Sequence, residues 1–174
     1  MKKTFLAILL LFAISFAAKS QLKYTVKLDA GYQNFLSRNF EVDAGPDWKG
    51  YDLGENLGAL DLSLVNGISY RENLRLGFGV GYLSYNKDIS GYAFFGDLEY
   101  MFGHKLIRPL LNLKIGRNYI INDLKKEKTP FDIVDVAVGV EMKFSQKLSG
   151  QLKVGLNFVG ASYQFLPIRL GLRF

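Results

Sequence analysis

The chain has 174 residues, 49% of them hydrophobic and 22% charged, with no cysteine and a formal net charge of +6. That length suits one domain, and the lack of cysteine excludes a disulfide framework, a thiolate metal site and a lipid-modified N-terminal cysteine. Removing residues 1–20 takes away Lys2, Lys3 and Lys19 and no acid, so the charge falls from +6 to +3 and gives little ground for a nucleic-acid partner.

Lys2 and Lys3 precede an almost wholly apolar stretch, Phe5 to Ala18, and Ala18-Lys19-Ser20 offers small residues where a signal peptidase reads. The expectation is a signal peptide over residues 1–20, cleaved before Gln21, and one domain over 21–174. The apolar stretch is short for a membrane-spanning helix, which needs roughly 17 to 25 residues.

From Leu22 the pattern is strict alternation. Leu22, Tyr24, Val26, Leu28, Ala30 and Tyr32 share one face, and Lys23, Thr25, Lys27, Asp29 and Gly31 the other. A period of two is a strand. The pattern recurs at Leu60 to Tyr70, Leu74 to Tyr82, Tyr92 to Phe102, Pro109 to Ile115, Val134 to Phe144, Leu148 to Phe158 and Leu166 to Phe174. Eight strands are therefore expected, mostly near the roughly 9 to 11 residues that cross a bilayer when tilted. Asn66 is the misfit on its apolar face, and Asn66-Gly67 reads as a bulge.

The connections alternate too. Arg71-Glu72-Asn73, Gly103-His104-Lys105 and Ser145-Gln146-Lys147 read as tight turns. Gln33 to Glu55 and Gly116 to Asp132 read as long loops, with shorter ones after Tyr85 and Val159. Tight turns at one end and longer loops at the other define an up-and-down barrel with its short end toward the periplasm.

Three features turn the apolar face outward, to lipid. The charged face is also rich in small residues, among them Gly77, Gly79 and Gly81, as a narrow lumen requires. Aromatics on the apolar face gather at the strand ends: Tyr24, Tyr70, Tyr100, Phe102, Phe144 and Phe174 at the turn end, and Tyr32, Tyr82, Tyr92 and Phe158 at the loop end. Two such belts fit two membrane interfaces. Finally, Leu166, Ile168, Leu170, Leu172 and Phe174 step by twos to the last residue of the sequence.

On these residues the chain resembles the small eight-stranded outer-membrane β-barrels of Gram-negative bacteria. That resemblance implies a terminal assembly signal, Leu170, Leu172 and Phe174, read by the barrel-assembly machinery, although Leu172 stands where many such barrels carry an aromatic. Gln21 at the expected mature N-terminus is similar to exported proteins of the Bacteroidota.

The inner face then holds Lys23, Lys27, Arg75, Arg108, Lys114, Lys143, Lys153, Arg169 and Arg173 against Asp29, Asp61, Asp97, Glu99, Asp135 and Glu141. Charges confined in a narrow lumen must pair. Lys27, Arg75, Asp97, Glu99, Lys114, Glu141, Lys153 and Arg169 are accordingly read as a charge network that plugs it. No enzyme is expected: His104, the single histidine, falls in a tight turn, and Asp97 and Glu99 read as salt-bridge acids rather than a catalytic pair. No metal site or cofactor is expected either.

Function is assigned to the loops. Trp48, in the acidic stretch Gln33 to Glu55, is the candidate for binding a surface ligand, and Lys125, Lys126 and Lys128 could meet lipopolysaccharide. The reading is a porin-like, cell-surface barrel of the outer membrane, structural or interactive in role, surrounded by outer-membrane lipid and lipopolysaccharide. Its rivals are a narrow ion channel, a lipid-modifying enzyme and a soluble periplasmic carrier of apolar ligands.

Overall fold

A computed structural model describes residues 22–38, 58–85, 89–122, 127–160 and 163–174. The expected signal peptide, Gln21, Trp48, Lys125 and Lys126 lie outside them. Eight strands run in chain order: β1 (Leu22–Arg38), β2 (Gly58–Tyr70), β3 (Leu74–Ser84), β4 (Ile89–Met101), β5 (Ile107–Asn122), β6 (Glu127–Lys143), β7 (Ser149–Val159) and β8 (Tyr163–Arg173). Each pairs antiparallel with its neighbours in sequence, and β8 closes onto β1. Closure leaves no unpaired edge around the wall.

The strands tilt. Following direct partners from Lys27 through Val65, Gly79, Phe95, Gly116, Ile133, Val159 and Tyr163, the path meets β1 again at Arg38. That is eleven positions nearer the loop end, one of them the extra residue of a bulge between Phe35 and Ser37. Rows of paired residues therefore climb the wall from β1 toward β8, a geometry that small closed barrels share.

Three sequence expectations need correction. Asn66 pairs in register on both sides, with Val26 and with Phe78, so no bulge lies there. Its amide is accommodated on the outer face by Tyr24, whose hydroxyl donates to Asn66 Oδ1 at 2.8 Å. The stretch from Gly116 to Asp132 is largely strand rather than loop, since β5 runs to Asn122 and β6 starts at Glu127. Tyr119, Ile120, Ile121 and Thr129 are strand formers whose pairing simply continues past the expected strand ends. Likewise β1 continues through residues 33–38 of the other expected loop.

Inner and outer faces separate sharply. Along β6 the outward residues Val134, Val136, Val138, Val140 and Met142 are exposed, while Asp135, Ala137 and Glu141 are buried. Two lumen glycines are forced by space: a Cβ on Gly116 would stand 2.0 Å from the Phe94 carbonyl oxygen, and one on Gly31 2.3 Å from that of Ile168.

Candidate functional site: lumen, turn-end mouth and outer wall

The described residues divide the lumen into two parts. Toward the turns, ion pairs fill it. Glu141 accepts from Arg75, from Arg108 and, at 3.2 Å, from Arg173. Lys27 donates to both Asp97 and Glu99 at 2.6 Å, which joins the two carboxylates through one ammonium. Lys153 sits 2.8 Å from both oxygens of Asp29, and Lys114 3.3 Å from one of them. Higher up, Arg169 bridges Asp61 and Asp135. All eight residues of the expected network are buried; seven are linked by ion pairs, in part through Asp29, while Arg169 pairs apart from them with Asp61 and Asp135.

Toward the loops the same inner face turns apolar. Phe165, Tyr85, Phe95, Ile120, Ile133, Val159, Leu83 and Tyr163 form a buried cluster, with Phe35, Ile89 and Phe131 packed against it. Phe35 meets Phe165 edge-on with ring centroids 5.8 Å apart, and Phe131 meets Tyr163 at 6.2 Å. Amides separate the two regimes: Gln33 donates to Asp61 at 2.9 Å and accepts from Asn157 at 2.8 Å. Lys114 over the Phe95 ring, 4.8 Å from its centroid, is a direct contact between them. The sequence analysis assigns charged and small residues to the lumen and does not include this cluster. The signal was present as large apolar residues in odd phase at the loop ends of several strands.

Glu72 was missed as well. It sits in a tight turn where Asn73 N–H donates to the Tyr70 carbonyl at 3.3 Å, with φ of 50° at Arg71 and 62° at Glu72. Positive φ at both central residues is the hairpin-favoured geometry, but neither residue is the usual Asn or Gly. Side-chain contacts hold it: Glu72 accepts from Lys23 at 2.9 Å and from Lys143 at 2.6 Å, and Arg108 donates to the Glu72 carbonyl at 3.1 Å. The turn between β2 and β3 is thereby tied to β1, β5 and β6 across the mouth. Hydrogen bonds from Lys143 and Lys23 lower the Glu72 carboxyl to about 2. With Glu72 included, each of the nine cations assigned to the inner face has an acidic partner within 4 Å.

Outside, both aromatic groups are present. Tyr24, Tyr100, Phe102, Phe144 and Phe174 are exposed at the turn end, and Tyr32, Tyr82 and Tyr92 toward the loops. Tyr82 and Tyr92 touch at 5.4 Å, and Tyr92 pairs with Tyr119, over whose ring Lys128 lies at 4.5 Å. One step below Tyr119, Arg117 donates to its direct partner Asp132 at 3.0 Å, an outward-facing ion pair. Leu170, Leu172 and Phe174 all face outward on or just past the end of β8. His104 is exposed in the turn between β4 and β5.

No protein-family model matches the sequence, and no curated protein matches it either. By structure the barrel is similar to Neisserial surface protein A, with a TM-score of 0.67 at 15% identity over 87% of this chain and 97% of that one. It is also similar to the N-terminal β-barrel domain of Pseudomonas aeruginosa OprF, with a TM-score of 0.53 at 13% identity over 88% of this chain and 100% of that one. At these identities the likeness is one of fold: the chain has the architecture of the small eight-stranded outer-membrane barrels. Nothing in it supports the Bacteroidota likeness drawn from Gln21.

Proposed function

We propose that the chain is an integral protein of a Gram-negative outer membrane, exported with its first 20 residues removed, whose role is structural or interactive rather than catalytic. The observation that carries this reading is the inversion of faces. The outer wall is clad in exposed leucine, valine, isoleucine and aromatic side chains while, below the Arg117–Asp132 pair, the ionic residues of the strands lie inside. Continuous apolar cladding of that kind in water would be an aggregation surface. In lipid it is the solvent-matched face, and a closed barrel satisfies the backbone there.

A filled lumen favours this role over that of a channel. Among the described residues, salt bridges at the turn end, amides between and aromatics at the loop end occupy the lumen, which supports a plugged barrel. Specificity then belongs to the loops, Trp48 included, with lipopolysaccharide and a surface ligand as partners, and Leu170, Leu172 and Phe174 serve the assembly machinery.

The test is insertion and conductance together. The chain lacking residues 1–20, diluted from urea into phosphatidylcholine vesicles, is expected to insert, to resist unfolding by detergent until heated, and to give no steady conductance in a planar bilayer. Solubility without detergent would overturn the membrane reading, and a steady conductance would overturn the closed lumen.

A further inference from the structure

The outer wall carries one gap that packing does not explain. Asn66, Phe78, Gly96 and Ile115 are direct partners on β2, β3, β4 and β5, forming one climbing row on the outer face. At Gly96 the row has no side chain. A Cβ there would meet only the Ile115 carbonyl oxygen, at 3.8 Å, and the backbone has no positive φ. Space and conformation would both admit a larger residue, unlike at Gly116 or Gly31 in the lumen. Beside the gap Phe78 stands 83% exposed, so a deep notch separates it from Ile115.

Two hollows of about 600 Å³ each meet at this notch, sharing Asn66, Phe78, Gly96 and Ile115. The upper one runs beneath Val80 and Phe94 to Arg117 and Asp132. Its far end is therefore charged, one step below the Tyr92–Tyr119 pair, where the aromatic belt marks the level of lipid headgroups. The arginine fork has five N–H donors; Asp132 accepts the one on Nε, and the Tyr119 hydroxyl also interacts with the guanidinium. Lys128 over Tyr119 adds a second cation just above. At its lower end Asn66 is already bonded to Tyr24.

We propose that this groove is a binding site for a phosphorylated acyl lipid of the outer leaflet, its phosphate on Arg117 and one acyl chain laid through the notch at Gly96 between Phe78 and Ile115. Apart from Asn66 the groove is apolar along the length a chain would occupy, and where a headgroup would lie it carries the Arg117–Asp132 ion pair with Lys128 just above as the additional cation. Charge-assisted, forked hydrogen bonding of a phosphate is what an arginine at this height offers. The proposal rests on the membrane reading, so insertion into vesicles is checked first and separately.

The folded barrel in non-ionic detergent is titrated with phosphatidylglycerol or with phosphatidylcholine of the same chains, and retained lipid is read by native mass spectrometry. Phosphatidylglycerol is expected to saturate at one per barrel and to bind about tenfold tighter than phosphatidylcholine. Gly96→Phe, which fills the notch, and Arg117→Gln, which removes the cation, are each expected to weaken it by about tenfold. Leu152→Phe on the outer face of β7 is expected to change nothing, and inorganic phosphate is not expected to displace the lipid. Gly96→Leu repeats the test with a smaller side chain, and heat-shifted gel mobility establishes that each variant is folded. Undiminished binding by folded Gly96→Phe and Gly96→Leu would overturn the groove, as would an equal loss in Leu152→Phe. A dimer that Gly96→Phe abolishes would assign the notch to a second copy of the chain and overturn the lipid.

Discussion

The two ends of the lumen solve one problem by opposite means. At the turn end, narrow space is filled with long charged side chains that must find partners: Glu141 gathers three arginines, and Lys27 joins Asp97 to Glu99. At the loop end the same alternation delivers Phe165, Tyr85, Ile120 and Val159, which fill space by contact alone. Burying a charge demands a specific partner, whereas burying a ring demands only volume. The first end is thus built to fail on single deletions and the second to tolerate exchange of similar shapes.

The largest expected effect comes from breaking the ionic end at its hub. Glu141→Ala leaves Arg75, Arg108 and Arg173 without their shared carboxylate and is expected to cost about 3 to 5 kcal/mol in equilibrium urea unfolding from vesicles. A loss below about 1 kcal/mol would mean that the network contributes little there. At the loop end, Phe165→Leu keeps most of the volume and is expected to cost less than about 1.5 kcal/mol in the same assay. Were it to match Glu141→Ala, the contrast between the two ends would disappear.

Between them, Tyr85→Phe removes the hydroxyl that accepts from Asn118 at 3.3 Å while keeping the ring against Phe165, at a cost of about 1 kcal/mol. An unchanged midpoint would show that the hydrogen bond adds nothing to the ring contact.

The smallest effect lies at the mouth. Glu72 has its carboxyl lowered to about 2 by Lys143 and Lys23, so its contribution is present above the ordinary carboxyl range, near 4.5, and fades as the pH falls through about 2. Because Glu72 and Lys23 are well exposed, that contribution is less than about 1 kcal/mol. Glu72→Gln should therefore lower stability slightly at pH 7 and match the parent near pH 2. A difference that persists unchanged at pH 2 would assign the effect to the strained turn instead.

The strands within the apolar band are legible in the sequence because most positions there obey one rule, apolar out and polar or small in. Where the rule lapses, the reading stopped. Arg117 and Asp132 both face outward, so β5 and β6 were cut short at this pair although their pairing continues to Asn122 and Glu127. Phe35, Tyr85, Phe131 and Phe165 break the rule from the other side, being apolar on the inner face, so alternation does not place them in the lumen. Glu72 carries no pattern at all, since its reach to Lys143 depends on how β2 and β6 come together across a closed barrel. The charged lumen was legible for the reason that the apolar end was not: fifteen charges on one face of eight strands have nowhere else to go.

All of this depends on the outer wall facing lipid, and Val138 tests that most directly. It lies mid-strand on β6, 56% exposed, between Val136 and Val140 on the outward face. Arginine there would stand in hydrocarbon, at a cost of roughly 2 to 4 kcal/mol near the bilayer midplane. Equilibrium unfolding of Val138→Arg from phosphatidylcholine vesicles is expected to show that loss relative to the parent chain. A variant that folds into vesicles as stably as the parent would contradict the assigned faces and, with them, the placement of this barrel in a membrane.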